Sequence, residues 1–247
     1  MPELKDRSSL ALILGGLALL GLGAAGGWAF EKNRSSALNR AEVEQVVREY
    51  ILAHPEILPE AIERLRAKEN SKQVTAAGDE VFVPFPGAVM GNPAGKTTLV
   101  MFTDFACGYC RSSMKDVEAL IAEDPDLKVV MRELPIIAPT SPNAARWGLA
   151  AAEQGRYPAF HRAMFAAGRT DQASIDAAAR AAGLDLERAR RFAADPKVTA
   201  EIEANIAFAR GLQLEGTPAW VIGDQLMTGA VGKDLLAKAI AEEKAKS

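Results

Sequence analysis

The chain has 247 residues, 49% of them hydrophobic and 25% charged, which is enough apolar material for a sizeable core and excludes a wholly disordered chain. A net charge of −3, from 29 basic and 32 acidic residues, gives no electrostatic footing for a nucleic-acid partner. Two cysteines and two histidines exclude a disulfide-dense scaffold and argue against a catalytic zinc centre, so no metal site is expected.

The run from Leu10 to Phe30 carries no charge. At about 1.5 Å per residue it matches the roughly 30 Å hydrocarbon core of a bilayer. Lys5 and Arg7 precede it, and Trp28 stands near its far end, where an interfacial aromatic would be placed. Its length favours an uncleaved membrane anchor over residues 1–34, with the span at 10–30. The small residues Gly23-Ala24-Ala25 keep a cleaved signal peptide as the alternative. Either reading predicts an exported protein, periplasmic or otherwise extracytoplasmic. The anchor would tether it to the inner membrane.

Residues 35–80 read as a helical stalk and hinge. Val43, Val46, Val47, Tyr50 and Ile51 fall at helical spacing before Pro55, and Leu58, Ile62 and Leu65 continue an apolar face in a second helix that Pro59 suits at its first turn. This pair is too short for a core of its own and must pack on the main domain, on a partner copy or on membrane lipid; the stripe over 41–68 favours self-association. The polar segment Asn70–Glu80 reads as a hinge.

A larger domain is expected over 81–247. Thr97–Asp104 is a buried strand by its β-branched and aromatic content, and a helix to about Ala122 follows Cys107-Gly108-Tyr109-Cys110. Leu127–Leu134 is a second strand. An Ala-rich helical block fills about 140–212, with breaks at Gly155, Gly168, Gly183 and Asp195-Pro196. Ala219–Ile222 and Gln225–Thr228 form a hairpin across Gly223-Asp224, and Lys233–Glu243 is a closing helix. Gly91 to Lys96 has the look of a phosphate loop. It is one residue short between its glycines, however, and it precedes a strand instead of following one.

A Cys-x-x-Cys between a strand and a helix places the first sulfur at the helix N-terminus, where unpaired N–H groups and the helix dipole favour an anion. Cys107 is therefore expected to be the exposed, low-pKa nucleophile and Cys110, one turn along, the buried resolving thiol. Asp104 and Glu133, at strand ends, are candidates to relay protons to Cys110. His54 and His161 read as solvated or packing residues, and Trp147 and Trp220 as core or cleft lining. The alternative for the same two thiolates is a Cu(I) site in a metal-tolerance protein.

Phe102 to Arg111, Arg132 to Ile136, Gly216-Thr217-Pro218, Gly223-Asp-Gln225 and Gly229-Ala230 together resemble the DsbA-like thiol:disulfide oxidoreductases of the thioredoxin superfamily, over roughly residues 81–245. The N-terminal helices resemble the oligomerising stalks of the suppressor-of-copper-sensitivity C proteins and related bacterial disulfide isomerases. The resemblance implies an α/β thioredoxin fold with an inserted helical domain, a cis Pro218 facing the reactive cysteines, and Thr217 pairing with substrate backbone. It implies no cofactor, cysteine-containing exported proteins as substrates, and a membrane redox partner. Gly108-Tyr109 stands where the best-known oxidases have Pro-His. Tyr109 cannot carry a positive charge, so a less depressed Cys107 pKa is expected. Thr before the proline is also more common among isomerase-like members.

Overall fold

The computed structural model describes residues 40–246, which fall into two units that part between Ile62 and Glu63. The expected anchor at 1–34 and its span at 10–30 lie outside the described residues. Among the described residues no helix is long and apolar enough to cross a membrane.

The first unit holds α1 (Arg40–Ala53) and the start of α2 (Ile57–Ala77). Pro55 separates the two helices, as a residue without an N–H and with a fixed φ should. α1 has no buried residue, and Val43, Val46, Val47 and Tyr50 are exposed along it, as are Leu58 and Ile62 on α2. His54 stacks on Tyr50 at 4.6 Å and sits 3.2 Å from the Glu56 carboxylate.

The Asn70–Glu80 segment corrects the sequence reading. It is not a hinge but the end of α2 followed by a 3₁₀ turn at Asp79–Phe82. Two buried anchors explain the difference. Val74 and Val81 pack into the core, and the Asn70 amide donates to the Leu226 carbonyl at 3.0 Å. Polar composition concealed helix because only one face of the segment touches the core.

The second unit is built on a mixed five-stranded sheet in the order β1-β3-β2-β4-β5. β2 (Thr97–Thr103) and β3 (Leu127–Glu133) pair in parallel across α3 (Gly108–Glu123). β4 (Ala219–Ile222) runs antiparallel to β2 and turns through Gly223-Asp224 into β5 (Gln225–Thr228). β1 (Val89–Gly91) adds antiparallel to β3. Along β2, Leu99 and Met101 face one core while Val100 and Phe102 face another, so the strand is apolar throughout because both faces are covered.

The helical block contains α4 (Ser141–Glu153), α5 (Tyr157–Ala167), α6 (Gln172–Ala181), α7 (Leu186–Ala193) and α8 (Pro196–Gly211). Gly168 ends α5 in the left-handed conformation, and Asp171, Asp185 and Asp195 cap α6, α7 and α8 through their carboxylates. α9 (Lys233–Lys244) closes the chain against the first core.

Arg132 joins these layers. Its guanidinium is 3% exposed and donates to Glu201 and Asn205 on α8 and to the carbonyls of Glu80, Val81 and Val83. Asn205 in turn donates to the Glu133 carbonyl at 3.1 Å. Arg132→Ala should therefore cost about 3–5 kcal/mol, because it strands a partly buried carboxylate and three carbonyls. A urea midpoint within error of wild type would show that these bonds add nothing net.

Candidate active site

The loop from β2 to α3 is fixed at each residue in turn. Asp104 is 1% exposed, and its carboxylate accepts four hydrogen bonds. Ala106 N and Ser141 Oγ donate to Oδ1 at 2.8 and 2.7 Å, and the N–H groups of Ile136 and Ile137 donate to Oδ2 at 2.8 Å. This carboxylate therefore ties the β2–α3 loop to the β3–α4 loop. Phe105 inserts into an aromatic cluster of the helical block, 5.8 Å from Phe160, 5.3 Å from His161 and 5.5 Å from Phe165. Cys107 N donates to the Asp104 carbonyl at 2.9 Å, which aims the next side chain.

Cys107 is the N-cap of α3. It has extended backbone, and its sulfur accepts from Cys110 N at 3.3 Å. Sulfur at this position does what a capping oxygen does, and it also meets the positive end of the helix. Both cysteines are free thiols. The Thr217–Pro218 bond is cis, and the Cys107 thiol donates to the Thr217 carbonyl at 3.2 Å. The structure thus brings Cys107 and Cys110 together with Thr217 and Pro218, although Cys107 and Thr217 stand 110 residues apart in sequence.

The expectation of an exposed Cys107 is corrected. It is 5% exposed against 0% for Cys110, because the Thr217 loop covers the sulfur. The order of the two thiols stands. The Cys110 thiol's hydrogen bond, with backbone N–H groups of Cys110 and Tyr109, draws Cys107 down to about 5 against the pull of burial. Burial, together with the hydrogen bond to Cys107, pushes Cys110 far above the ordinary thiol range. Tyr109 takes part through its backbone, since its side chain is 70% exposed. Gly108 leads α3, and an added Cβ would meet nothing there.

Glu133 is fully buried at the end of β3 and accepts from the Tyr157 hydroxyl at 2.6 Å. Its other carboxyl oxygen has no partner. Burial pushes the carboxyl well above the usual carboxylate range, the Tyr157 bond opposing. Sequence reasoning missed Tyr157 and Gly148 as neighbours of this group. A Cβ on Gly148 would lie 3.0 Å from the Phe105 ring and 3.1 Å from Glu133 Oε1, so glycine lets α4 pass close over both. His161 packs among Phe105, Tyr157 and Phe165 with neither ring nitrogen partnered, and burial holds it down to about 3. It is a neutral packing residue. Trp147 and Trp220 are core residues, 4% and 0% exposed. No cluster of three or more His, Cys, Asp or Glu able to hold a metal occurs among the described residues.

A depressed thiol stabilises the fold above its unfolded value, and that contribution is lost as pH falls through the folded one. The reduced protein should gain stability over the oxidised form between about pH 5 and roughly pH 8.5, the pKa of a free thiol. Denaturant midpoints of the two forms check this, and a pH-independent difference would contradict it. Cys110→Ala should raise the Cys107 value, read by ultraviolet thiolate absorbance, because it removes the largest stabilising bond.

Comparison with known proteins agrees with this geometry. The family described as DSBA-like thioredoxin domain matches residues 98–241, and the copper resistance protein ScsC N-terminal domain matches 39–71. A thioredoxin-like oxidoreductase from Silicibacter pomeroyi is 38% identical, over 68% of this chain and 98% of its own, with a TM-score of 0.65. ScsC of Proteus mirabilis in a transitional conformation is 28% identical, over 86% of this chain and 99% of its own, with a TM-score of 0.64. A curated relative, Na(+)/H(+) antiporter NhaA 1 of Salinispora arenicola, is 27% identical over 62% of this chain, and the chain spans only 24% of that protein's length. The domain match covers the strand, the Cys-x-x-Cys helix, the helical block and the cis-proline hairpin together, and the chain belongs to the DSBA-like thioredoxin family, whose members are thiol:disulfide oxidoreductases.

Proposed function

We propose that the protein exchanges disulfides with exported, cysteine-containing proteins, using Cys107 as nucleophile and Cys110 as resolving thiol. The separation of the two thiols, one drawn down to about 5 and the other raised by burial, carries the reading. The Cys107 thiolate attacks one sulfur of a substrate disulfide, and the other substrate sulfur leaves as a thiolate. Cys110 then gives up its proton and attacks Cys107, closing the intramolecular disulfide and releasing the reduced substrate. Run backwards, the same steps oxidise a substrate dithiol.

Thr217 and Pro218 dock the substrate. A neutral Cys107 thiol occupies the Thr217 carbonyl. An ionised one has no proton to donate, which leaves that carbonyl for a substrate N–H. Proton transfer at Cys110 is assigned to Glu133, whose second oxygen is unpartnered, because Asp104 spends its carboxylate on four hydrogen bonds. Glu133→Gln should slow resolution and flatten its pH profile while leaving the Cys107 titration in place.

The exposed stripe Val43, Val46, Val47, Tyr50, Leu58 and Ile62, with the match at 39–71, supports a homo-oligomer that favours isomerisation over simple oxidation. An extracytoplasmic location, tethering through residues 10–30 and a membrane redox partner complete the proposal. Removing residues 1–62 should leave a redox-active monomer that loses disulfide shuffling. Light scattering that gives the same number of chains per particle for both proteins would remove the stalk from this account.

The decisive test of mechanism is trapping. Cys110→Ser should accumulate mixed disulfides with exported proteins on non-reducing gels, and Cys107→Ser should accumulate far fewer. Equal adducts in the two variants would refute the assigned roles.

A further inference from the structure

The groove beside the cis-proline carries a charge that neither the fold nor the exchange chemistry uses. It is a cavity of about 250 Å³ lined by Gln213, Glu215, Gly216, Thr217, Pro218 and Gly229 among others. Glu215 is exposed, and among the described residues no hydrogen bond or ion pair holds its carboxylate. No basic side chain lines the cavity. Arg210, the nearest in sequence, ends α8, and Arg111 lies over Gly168 at the end of α5. The groove is also open: a Cβ added at Gly216 or Gly229 would meet nothing within 4 Å. An extended chain can therefore lie against this backbone, with Cys107 at one side and a free anion at the other.

We infer that Glu215 is a specificity-determining residue that favours cysteines flanked by Lys or Arg over cysteines flanked by Asp or Glu. This rests on the thiol-exchange reading above. On an extended substrate, side chains two residues apart share a face and stand roughly 7 Å apart, inside the Debye length of about 8 Å at physiological salt. Glu215 shares the cavity with Thr217, two residues on, whose carbonyl meets the Cys107 thiol at 3.2 Å, so a flanking charge feels Glu215 while its cysteine is at Cys107. An attractive pair raises the encounter rate, and a like-charged pair lowers it. Asp104 and Glu133 cannot serve, because both are buried, and the oxygens of Asp104 are occupied.

The test uses the reduced full-length protein and three peptides that differ only in having Lys, Gln or Glu two residues from a single cysteine. Each peptide is joined by a disulfide to the same small neutral thiol, whose release reports Cys107 attack. The Lys peptide should react about 3-fold faster than the Gln peptide, and the Glu peptide slower by a similar factor, as an exposed charge pair allows. Glu215→Gln should level the three, Glu215→Lys should invert the order, and high salt should compress the differences. A small neutral disulfide should react equally with all variants, which separates charge selection from altered Cys107 reactivity. Equal rates for the three peptides on the wild-type protein, or an order unchanged in Glu215→Lys, would overturn the inference alone. No reaction with any peptide would instead overturn the thiol-exchange reading on which it stands.

Discussion

The Asp104 carboxylate accepts hydrogen bonds from three separate segments, and the Cys107 sulfur is placed by that junction. Ala106 belongs to the loop that ends in Cys107, Ile136 and Ile137 to the loop after β3, and Ser141 to the first turn of α4. Each donor would otherwise be a polar group losing water with nothing in return, so the junction is costly to dismantle at any one bond. Its geometric result is that the cysteine loop, the sheet and the helical block are held in one register. Phe105 reinforces it from the apolar side by filling the space between α4 and α5, next to His161.

The two sulfurs show how a small displacement along a helix separates two thiol acidities. Cys107 caps α3 and receives N–H groups, whereas Cys110 lies one turn inside and receives mainly desolvation. The hydrogen bond between them acts in opposite directions on its two ends, because a donor that stabilises its neighbour's anion must keep its own proton. No cation from the intervening dipeptide takes part. Tyr109 points to water, and the low value at Cys107 is reached with neutral donors alone.

Much of this was legible in the sequence where a local rule dominates. β2, β3 and the β4–β5 hairpin stand within a residue of their expected spans, because β-branched runs and a Gly-Asp turn are short-range signals. The helical block divides where Gly168 and Asp195-Pro196 demand it. What escaped depended on distant partners. β1 is three residues long and exists because β3 offers it an edge. The later turns of α2 look like linker until Leu226 and the second core are placed beside them. The shielding of Cys107 follows from a loop far along the chain, and the acid pair of Glu133 and Tyr157 from strand and helix packing. No composition window reports either.

The sheet's margins complete the account of how such a molecule meets other chains. A long open strand edge invites any extended polypeptide to pair with it. Here the outer strands are β1, of three residues, and β5, of four, and the Asn70 amide already occupies a carbonyl of β5. Lateral pairing is thereby discouraged at both borders. The stretch before Pro218, where the Thr217 carbonyl meets the Cys107 thiol, is the backbone at which the proposed docking would bring contact and chemistry together.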